Sequence, residues 1–372
     1  MRKISALILT ICLFLTCAGV LPVSAKAKEY SYDSKTKTLT ISIKGKMKYN
    51  CYNAPWKDIK YPEHIILEKG ITSISDFGFS YCQEGNTGTR QNYYDRIKTV
   101  KLPSTVKSIG KCAFSLCKKL KKINIPKSVN KIGDFAFENC YKLKEITIPA
   151  KVKKISAMLC SGCKNLKEIE IKKGVKTIGE SAFSGCKKLS SIKLPDTIEI
   201  IRKDAFEQCV KLKKIKLPKN LKRIKKGAFY RCEKLKRITF PKKTLEIEGY
   251  VFEGCISLKS VIIPKKVKYI GERTFQSCTK LKSLSIPDSV GEIGENAFHD
   301  CKKLKTIAIP KSVTKLGKHF FGFIFKDSGR LDKNGCIIGE YIRKDGYTIK
   351  GYNGTAAEKY AKDNGFKFIA LD

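Results

Sequence analysis

The chain has 372 residues, and its 76 Lys and Arg against 34 Asp and Glu give a formal net charge of +42. This balance favours anionic partners or surfaces but does not define a fold, and the alternative is a Lys-rich composition that only aids solubility. No apolar run of about 20 residues follows the N-terminal segment, so the sequence predicts a mature chain that does not span a membrane.

The first 25 residues have the features of a signal peptide that directs export. Arg2 and Lys3 provide the positive start, residues 4–21 are almost all apolar, and residues 23–25 read V-S-A before the expected cleavage. The C-terminus has no sorting motif or apolar tail. We therefore expect a secreted or cell-surface-associated protein without a transmembrane anchor.

Residues 26–64 predict an N-terminal β cap. Residues 29–47 alternate between apolar and polar types around a turn-prone segment at residues 33–35, which is typical of a β-hairpin. The only tryptophan, Trp56, follows Pro55. We interpret it as an anchor that covers the open end of the repeats that follow, and the alternative is a platform for a ligand.

A strict 23-residue repeat organises the middle of the chain. Its marker is a cysteine that recurs at Cys117, Cys140, Cys163, Cys186, Cys209, Cys232, Cys255, Cys278 and Cys301. A leucine follows each of these cysteines by three residues, and this period is within the range of leucine-rich repeats. The sequence predicts an α/β, strand-rich, right-handed leucine-rich-repeat solenoid of about ten coils over residues 65–325, with a parallel strand ladder.

Each repeat reads as a short strand followed by turns. In Leu120-x-x-Ile123-x-Ile125 the last residues alternate, so Ile123 and Ile125 should point inward while Lys122 and Asn124 point outward. A proline then ends the strand in most repeats. The V-x-x-I-G and A-F segments that follow predict a tight turn and a helical or 3₁₀ turn on the outer side.

These repeats resemble the BspA-type leucine-rich repeat of exported bacterial surface proteins. The segments T-L-T-I-S-I-K-G-K-M and I-K-G-Y-N-G-T-A-A-E-K-Y-A-K-D-N-G-F-K-F also resemble terminal modules of that group. The resemblance implies an adhesion or binding protein, and it transfers no set of binding residues. Departures from the repeat are Lys172 in place of proline, Cys160 in place of phenylalanine, and a slip of the valine position at Thr244 and Leu245.

One repeat contains a 12-residue insertion within residues 83–96. Insertions in repeat arrays form loops on one face, which is often the binding face. The candidate binding residues of this loop are Arg90, Tyr93 and Tyr94, and the alternative is a surface loop without a partner.

The repeat period ends near residue 326, and residues 326–372 predict a C-terminal cap. Residues 346–349 and 366–369 read as short strands around a helix at residues 355–363. Thr355 with Glu358 three residues later is typical of a helix start, and Asn364-Gly365 is typical of a helix end. The prediction is a small strand-helix-strand unit that closes the last coil of a monomer.

The cysteines allow three interpretations. An exported chain favours disulfides, whereas nine cysteines at one repeat position favour small buried apolar side chains. We expect buried thiols, because parallel Cβ vectors in stacked strands are unsuited to disulfide bonds. Cys160 and Cys163 form a lone C-x-x-C without a second pair for zinc. Cys51 and Cys82 are the pair to test for a disulfide.

No residue pattern points to catalysis, a metal or a cofactor. The three histidines, His64, His299 and His319, have no nucleophile beside them in a recognised motif. Glu168 and Glu170 form an acid pair on an open strand face, where nothing would separate their pKa values. The sequence therefore predicts a protein that is not an enzyme and that needs no cofactor.

The outward strand positions vary from repeat to repeat, and they are the best candidates for recognition. Along the array they are acidic, then basic, then small and neutral. The candidate binding residues of this inner face are Glu145, Glu168, Glu170, Lys193, Lys214, Lys216, Arg237 and Ile262. They predict a module that binds proteins or glycans outside the cell, including host matrix.

A second pattern is a lysine directly after the repeat leucine in eight of nine repeats. A stripe of this kind suits a linear polyanion such as teichoic acid or a sulfated glycan, whereas nucleic acid is not expected outside the cell. The alternative is a solvated face that keeps the coils soluble. The candidate stripe residues are Lys121, Lys144, Lys167, Lys213, Lys236, Lys259, Lys282 and Lys305.

Overall fold

A computed structural model describes residues 29–59, 61–80, 94–331 and 337–372. The predicted signal peptide lies outside these residues. Parallel strands from successive repeats stack in two columns, which form two sides of a solenoid. The strand-rich solenoid predicted from the 23-residue period is confirmed.

The first strand column contains the L-x-x-I-x-I segments. Ile146 and Ile169 point inward and pair in register. The residues on either side of them along each strand point outward. Residues 237–239 of one coil are not assigned to a strand, so the column is interrupted there. Its strands are Thr38–Ile41, His64–Leu67, Thr99–Lys101, Lys122–Ile123, Glu145–Ile148, Glu168–Ile171, Ser191–Lys193, Lys214–Lys216, Ser260–Ile262, Ser283–Ser285, Thr306–Ala308, Thr348–Gly351 and Lys367–Ala370.

The second strand column is formed by the V-x-x-I segments, where the sequence predicted only a turn. A Pro-x-x-Val turn joins the two columns, as in Val129, whose N–H donates to Pro126 O at 3.1 Å. Most of its strands have only two residues. They are Gly45–Lys46, Ile71–Ile74, Ser108–Ile109, Lys131–Ile132, Lys154–Ile155, Thr177–Ile178, Ile200–Ile201, Arg223–Ile224, Glu246–Ile247, Tyr269–Ile270, Glu292–Ile293 and Lys315–Leu316.

The third side consists of turns, in agreement with the helical or 3₁₀ turn predicted on the outer side. Within a coil the turns have the i to i−3 bonds of a 3₁₀ turn, as from Glu138 N–H to Phe135 O at 3.0 Å. Between coils, Phe135 N–H donates to Ala157 O and Phe137 N–H to Leu159 O, both at 2.9 Å. All three sides therefore contribute backbone hydrogen bonds between coils, which makes the array continuous.

The core of each coil holds the inward residues that the repeat predicted. Phe114 and Phe137 are fully buried and stack with ring centroids 5.6 Å apart, and the stack resumes from Phe183 to Phe298. The stack is broken at Cys160, but Leu159 beside it occupies the position of the usual alanine. Both are fully buried, so we expect the larger residue at one position to compensate for the smaller one at the next.

The predicted slip at Thr244 and Leu245 is wrong. Thr244 is fully buried in the valine position, and its hydroxyl donates to Leu221 O at 3.3 Å. Leu245 is 46% exposed. A threonine can replace valine here because the backbone carbonyl of the preceding coil satisfies its hydroxyl.

The N-terminal cap continues the ladder. Tyr30–Asp33 pairs in antiparallel fashion with Thr38–Ile41, which pairs in parallel with His64–Leu67. Trp56 is fully buried against the rings of Tyr30 and Tyr49, at 5.8 and 5.5 Å, which supports its predicted capping role. Together with the strands at the other end, the cap brings the solenoid to about 14 turns instead of ten.

The C-terminal end has the predicted strand-helix-strand cap. Thr348–Gly351 pairs with Thr306–Ala308, the helix Ala356–Asp363 follows, and Lys367–Ala370 adds the last parallel strand. The sequence did not predict the antiparallel strands Phe323–Leu331 and Ile337–Arg343, which we call the C-terminal hairpin. Among the described residues, no helix has the length and apolar character to cross a bilayer.

Candidate binding face

The parallel register brings the candidate residues of the inner face onto neighbouring strands. Glu145 lies beside Glu168, and Glu170 lies beside Lys193. Lys193 in turn lies beside Lys216. A repeat of 23 residues thus becomes a column of side chains one strand spacing (about 4.8 Å) apart. We call this surface, formed by the outward residues of the first strand column, the inner strand face.

The acidic part of the inner strand face is partly neutralised. Glu145 Oε1 lies 2.7 Å from Lys122 Nζ. Glu170 forms an ion pair with Lys172 and accepts a hydrogen bond from the Thr147 hydroxyl at 3.3 Å. The hydrogen bond from Lys172 is the main cause that lowers the pKa of Glu170, so this carboxylate stays charged at neutral pH.

Lys172 replaces the usual proline and therefore also has a backbone donor. Its N–H donates to Ile148 O at 3.0 Å, which extends the pairing of two strands by one bond. Lys172 is the only residue that replaces the repeat proline in this part of the array. It adds a backbone hydrogen bond between strands and a positive charge that pairs with Glu170 on the face. Glu168, by contrast, is exposed and makes no ion pair with any described residue.

The basic part of the inner strand face is not neutralised. The side chains are exposed, and none of them makes an ion pair within the described ranges. Because like charges lie side by side along the strands, they repel one another and attract anionic groups from solution. These residues are Lys193, Lys214, Lys216 and Arg237.

A concavity of about 780 Å³ lies at the boundary of the acidic and basic parts. Among the candidate residues it brings together Glu145, Glu168, Glu170 and Lys193. Its size is within the range of ligand sites, but its wall is a strand surface with charges of both signs, not an enclosed apolar pocket. This geometry suits a partner that lies across several strands.

Ile262 extends the face toward the C-terminal end. Its side chain is 74% exposed, and it pairs in register with Ser285. Its neighbours in the two columns are mostly small and polar, so Ile262 is an isolated apolar contact on a neutral part of the face. Lys214, Lys216, Arg237 and Ile262 lie outside the concavity.

The eight predicted stripe lysines are all exposed and follow the same register. Backbone bonds join them from coil to coil, as from Lys259 N–H to Lys236 O at 3.2 Å and from Lys282 N–H to Lys259 O at 2.9 Å. In the part of the chain that the structure describes, none of them forms an ion pair. Lys305 instead lies over the ring of Tyr347, 4.1 Å from its centroid.

The position of Tyr94 does not support the candidate loop as a binding site. This residue is 3% exposed, and its ring contacts Phe79 edge to face at 5.8 Å, so it belongs to the core. Its position near the end of the segment with the insertion, residues 83–96, predicts a loop, but the chain has already rejoined the coil at Tyr94. Arg90 and Tyr93 lie outside the described residues.

The nine repeat cysteines are free and buried, with a structural role that the sequence did not indicate. Each Sγ donates to a backbone oxygen of the preceding coil, at 3.1 to 3.4 Å. Burial raises the pKa of eight of these thiols, as for Cys209, whose pKa rises to about 12. At Cys163 burial also acts to raise the pKa, but hydrogen bonds from Cys140 and Cys160 outweigh it and lower the pKa. The eight thiols with a raised pKa are therefore protonated donors at neutral pH.

Cys51 is part of a disulfide, and Cys82, with which the sequence suggested pairing, lies outside the described residues. Cys160 and Cys163 of the C-x-x-C are both fully buried. No group of three or more His, Cys, Asp or Glu side chains that could hold a metal ion occurs in the described ranges.

Comparisons with known proteins identify the family of this chain. The pattern of BspA type leucine rich repeat regions matches residues 87–213 and 199–324, in six copies. The chain belongs to the BspA-type leucine-rich repeat family. Proteins of this family are often surface-associated and are compatible with binding or adhesion. Leucine-rich repeats are generally non-catalytic scaffolds.

Solved structures share the fold of this family member. A leucine-rich repeat protein from Bacteroides ovatus is 24% identical with a TM-score of 0.52, covering 92% of this chain and 98% of its own. The pneumococcal vaccine antigen PcpA is 16% identical with a TM-score of 0.50, covering 93% and 98%. At this identity the likeness concerns the fold alone. No curated protein sequence gives a significant match.

Proposed function

We propose that this chain is an exported, non-catalytic module that binds proteins outside the cell through its inner strand face. The observation that carries the proposal is the boundary where exposed Glu168 lies on the strand next to that of Lys193. It is followed by the charges of Lys214, Lys216 and Arg237, which form no ion pair with any described residue. Side chains on such strands are held at fixed spacing, because hydrogen bonds between coils hold the backbone in place.

A partner for this surface has basic groups opposite Glu168 and acidic groups opposite the lysines. Charges of both signs give an orientation as well as affinity, since the reversed partner would place like charges together. Glycans with acidic substituents fit only the basic part. We therefore expect a protein partner, and the matrix proteins of a host are the first class to examine.

The test begins with a capture screen of the full chain against extracellular matrix proteins and a glycan array. Binding of any ligand found is then measured for a variant in which five face residues become Gln, at Glu168, Glu170, Lys214, Lys216 and Arg237. We expect at least a tenfold loss of affinity with an unchanged unfolding temperature. Unchanged binding would show that the inner strand face is not the site.

A control variant changes the same number of acidic and basic residues on or next to the second strand column. It carries Gln at Glu180, Glu292, Lys131, Lys154 and Lys176, so its net charge equals that of the first variant. Retained binding in this control would assign the effect to position and not to total charge. An equal loss in both variants would mean that binding is non-specific.

A second function is favoured by the lysine stripe, and it is retention at a cell wall or surface through anionic polymers. The supporting observation is that eight exposed lysines share one register without an ion pair to any described residue. Lipoteichoic acid and heparin are suitable probes. Binding should weaken steeply between 50 and 200 mM salt, because counterions are released when the lysines bind the polymer. The slope of log affinity against log salt concentration should change by about one unit for each lysine contact.

The two functions are separable by variants. Replacing Lys213, Lys236, Lys259 and Lys282 by Gln should remove polymer binding, while the inner-face variant at Glu168 and Glu170 alone should retain it. Binding to either polymer that persists in 1 M salt would contradict the role of the stripe, because the Debye length there is only about 3 Å.

A further inference from the structure

The C-terminal hairpin is an insertion in the last coils of the solenoid. Thr306 pairs with Thr348, which is 42 residues later instead of 23. Two backbone bonds hold its base, from Asp300 N–H to Phe323 O and from Lys344 N–H to Gly322 O, both at 2.9 Å. Beyond this base, residues 326–331 are exposed. The hairpin therefore depends on a small contact area for its position.

Two histidines form the centre of that contact. The ring of Tyr341, on the hairpin, stacks on His319 with centroids 4.1 Å apart, and its edge contacts His299 at 5.2 Å. His319 also contacts the ring of Phe323 at 4.8 Å. The other end of the hairpin contact is apolar, with Phe323 against Phe366 at 5.6 Å. The imidazoles thus lie between the solenoid and the hairpin.

The polar atoms in this contact are poorly satisfied. His299 is 3% exposed, and neither ring nitrogen has a hydrogen-bond partner among the described residues. The backbone of Ile324 lies near the ring, but it forms no hydrogen bond of normal geometry. His319 Nδ1 and Asn296 Oδ1 are also without partners in this part of the structure. Such a group of buried orphan atoms requires an explanation, because native proteins contain few.

The charges around the two histidines differ, because the positive Arg273 disfavours a proton on His299, whereas at His319 the carboxylate of Glu295 favours one. Arg273 from the preceding coil and Lys318 beside His319 are positive, and Glu295 is the acidic group on this side. Glu295 already accepts a hydrogen bond from Asn296 Nδ2 at 3.3 Å. Asp300, next in sequence to His299, is paired with Lys302 at 3.7 Å.

On the hairpin, Tyr341 is the titratable group that faces the imidazoles, and its hydroxyl accepts a hydrogen bond from Asn296 Nδ2 at 3.4 Å. Arg343 is directed to Asp345, at 3.0 Å, and to the backbone of Gly365. The hairpin therefore presents no carboxylate that pairs with a protonated imidazole among the described ion pairs.

We propose that His299 and His319 form a proton-sensitive latch, which holds the C-terminal hairpin on the solenoid at neutral pH and releases it in mildly acidic conditions. The docked hairpin requires a neutral His299, because a proton would add charge to a buried contact that already has Arg273 nearby. Burial also disfavours a proton on His319, although Glu295 acts in the opposite direction. Burial, with His319 as the next cause, lowers the pKa of His299 to about 4, and burial also lowers that of His319.

The direction of the pH dependence follows from this shift. A histidine whose pKa is lowered in the docked state stabilises docking fully above the ordinary pKa of 6.5, and this contribution is lost as the pH falls toward 4. Between pH 7 and pH 5 the equilibrium for release should increase about twentyfold for His299 alone, as calculated from the two pKa values.

Hydrogen exchange of the full chain tests the latch. Protection of peptides from residues 323–331 and 337–343, corrected for intrinsic exchange, should fall about twentyfold from pH 7 to pH 5, while peptides of the central coils stay unchanged. The variant His299→Gln with His319→Gln should lose this pH dependence. Glutamine is the residue at the position of His299 in the preceding coil, as Gln276, so the coil accommodates it.

The control variant is His64→Gln, which removes the remaining histidine at the other end of the solenoid and should leave the hairpin's pH response intact. The sequence has three histidines, so NMR can follow His299 in the unmodified chain. A midpoint of His299 well below 6.5 is expected. A midpoint at or above 6.5, or the same pH response in the double Gln variant, would overturn the proposal.

Discussion

The break in the phenylalanine stack gives a sharp test of how the coils are packed. Leu159 and Cys160 occupy the positions of the usual alanine and phenylalanine, and both are fully buried. We consider Leu159→Ala, Cys160→Phe and the double variant, which restores the common pair. If the two departures compensate each other, the single variants should be harmful and the double variant should not.

The magnitudes follow from the packing. Leu159→Ala removes a buried side chain and leaves a cavity, at a cost of about 2–5 kcal/mol. Cys160→Phe adds a ring beside the retained leucine, and overpacking of this kind costs about 1–3 kcal/mol. In the double variant the new ring has space and continues the stack between Phe137 and Phe183. Each stacked pair adds about 0.5–1.5 kcal/mol of stability.

Urea unfolding followed by circular dichroism measures these effects. The double variant should be within about 1 kcal/mol of the parent or more stable, so the coupling energy of the two sites is at least about 2 kcal/mol. The reciprocal swap at Ala136 and Phe137, to Leu and Cys, should show the same coupling in an ordinary coil. Additive losses in the double variant would refute the idea that the two departures form one packing unit.

Two further predictions concern the cysteines and the contact between coils. The structure describes eleven free cysteines, and a thiol reagent at neutral pH should modify only half-buried Cys112 in the native protein. After unfolding, mass spectrometry should find all eleven modified. Modification of the repeat cysteines in the native protein would contradict their burial. Gly271→Ala should lower stability by about 1–3 kcal/mol, because the new Cβ would lie 2.6 Å from Gly249 Cα, while Gly291→Ala, with no atom closer than 3.9 Å, should be neutral in thermal unfolding.

The strict period explains why most of the fold could be predicted. Inward and outward positions repeat with the coil, so one repeat specifies the core of all, and parallel register follows from the constant spacing. Events that occur once are not readable in this way. Tyr94 lies near the end of a segment with an insertion, so the sequence predicts a loop residue, although Tyr94 packs on Phe79. The C-terminal hairpin is likewise a single insertion with no repeat to indicate it.

Features that depend on backbone geometry could also not be predicted from the sequence. The strand Lys131–Ile132 has two residues and therefore no alternation to detect, and the third side is held by main-chain bonds that any side chain permits. The repeat cysteine was read correctly as a small buried residue. Its donation to a carbonyl of the preceding coil depends on a distance between coils, which no spacing in the sequence reveals.

The parallel register brings side chains of successive coils together, and their charges determine whether they pair or repel. On the second column, charges of opposite sign lie one coil apart and pair, as Lys222 with Glu199 at 2.7 Å and Lys315 with Glu292 at 2.8 Å. On the first column, Lys193 lies beside Lys216 without an acidic partner among the described residues. Pairs of the first kind neutralise the surface at little gain in stability, whereas like charges in register oppose folding slightly. Both kinds of neighbour occur on each column, since Lys122 pairs with Glu145 on the first and Lys131 lies one coil from Lys154 on the second.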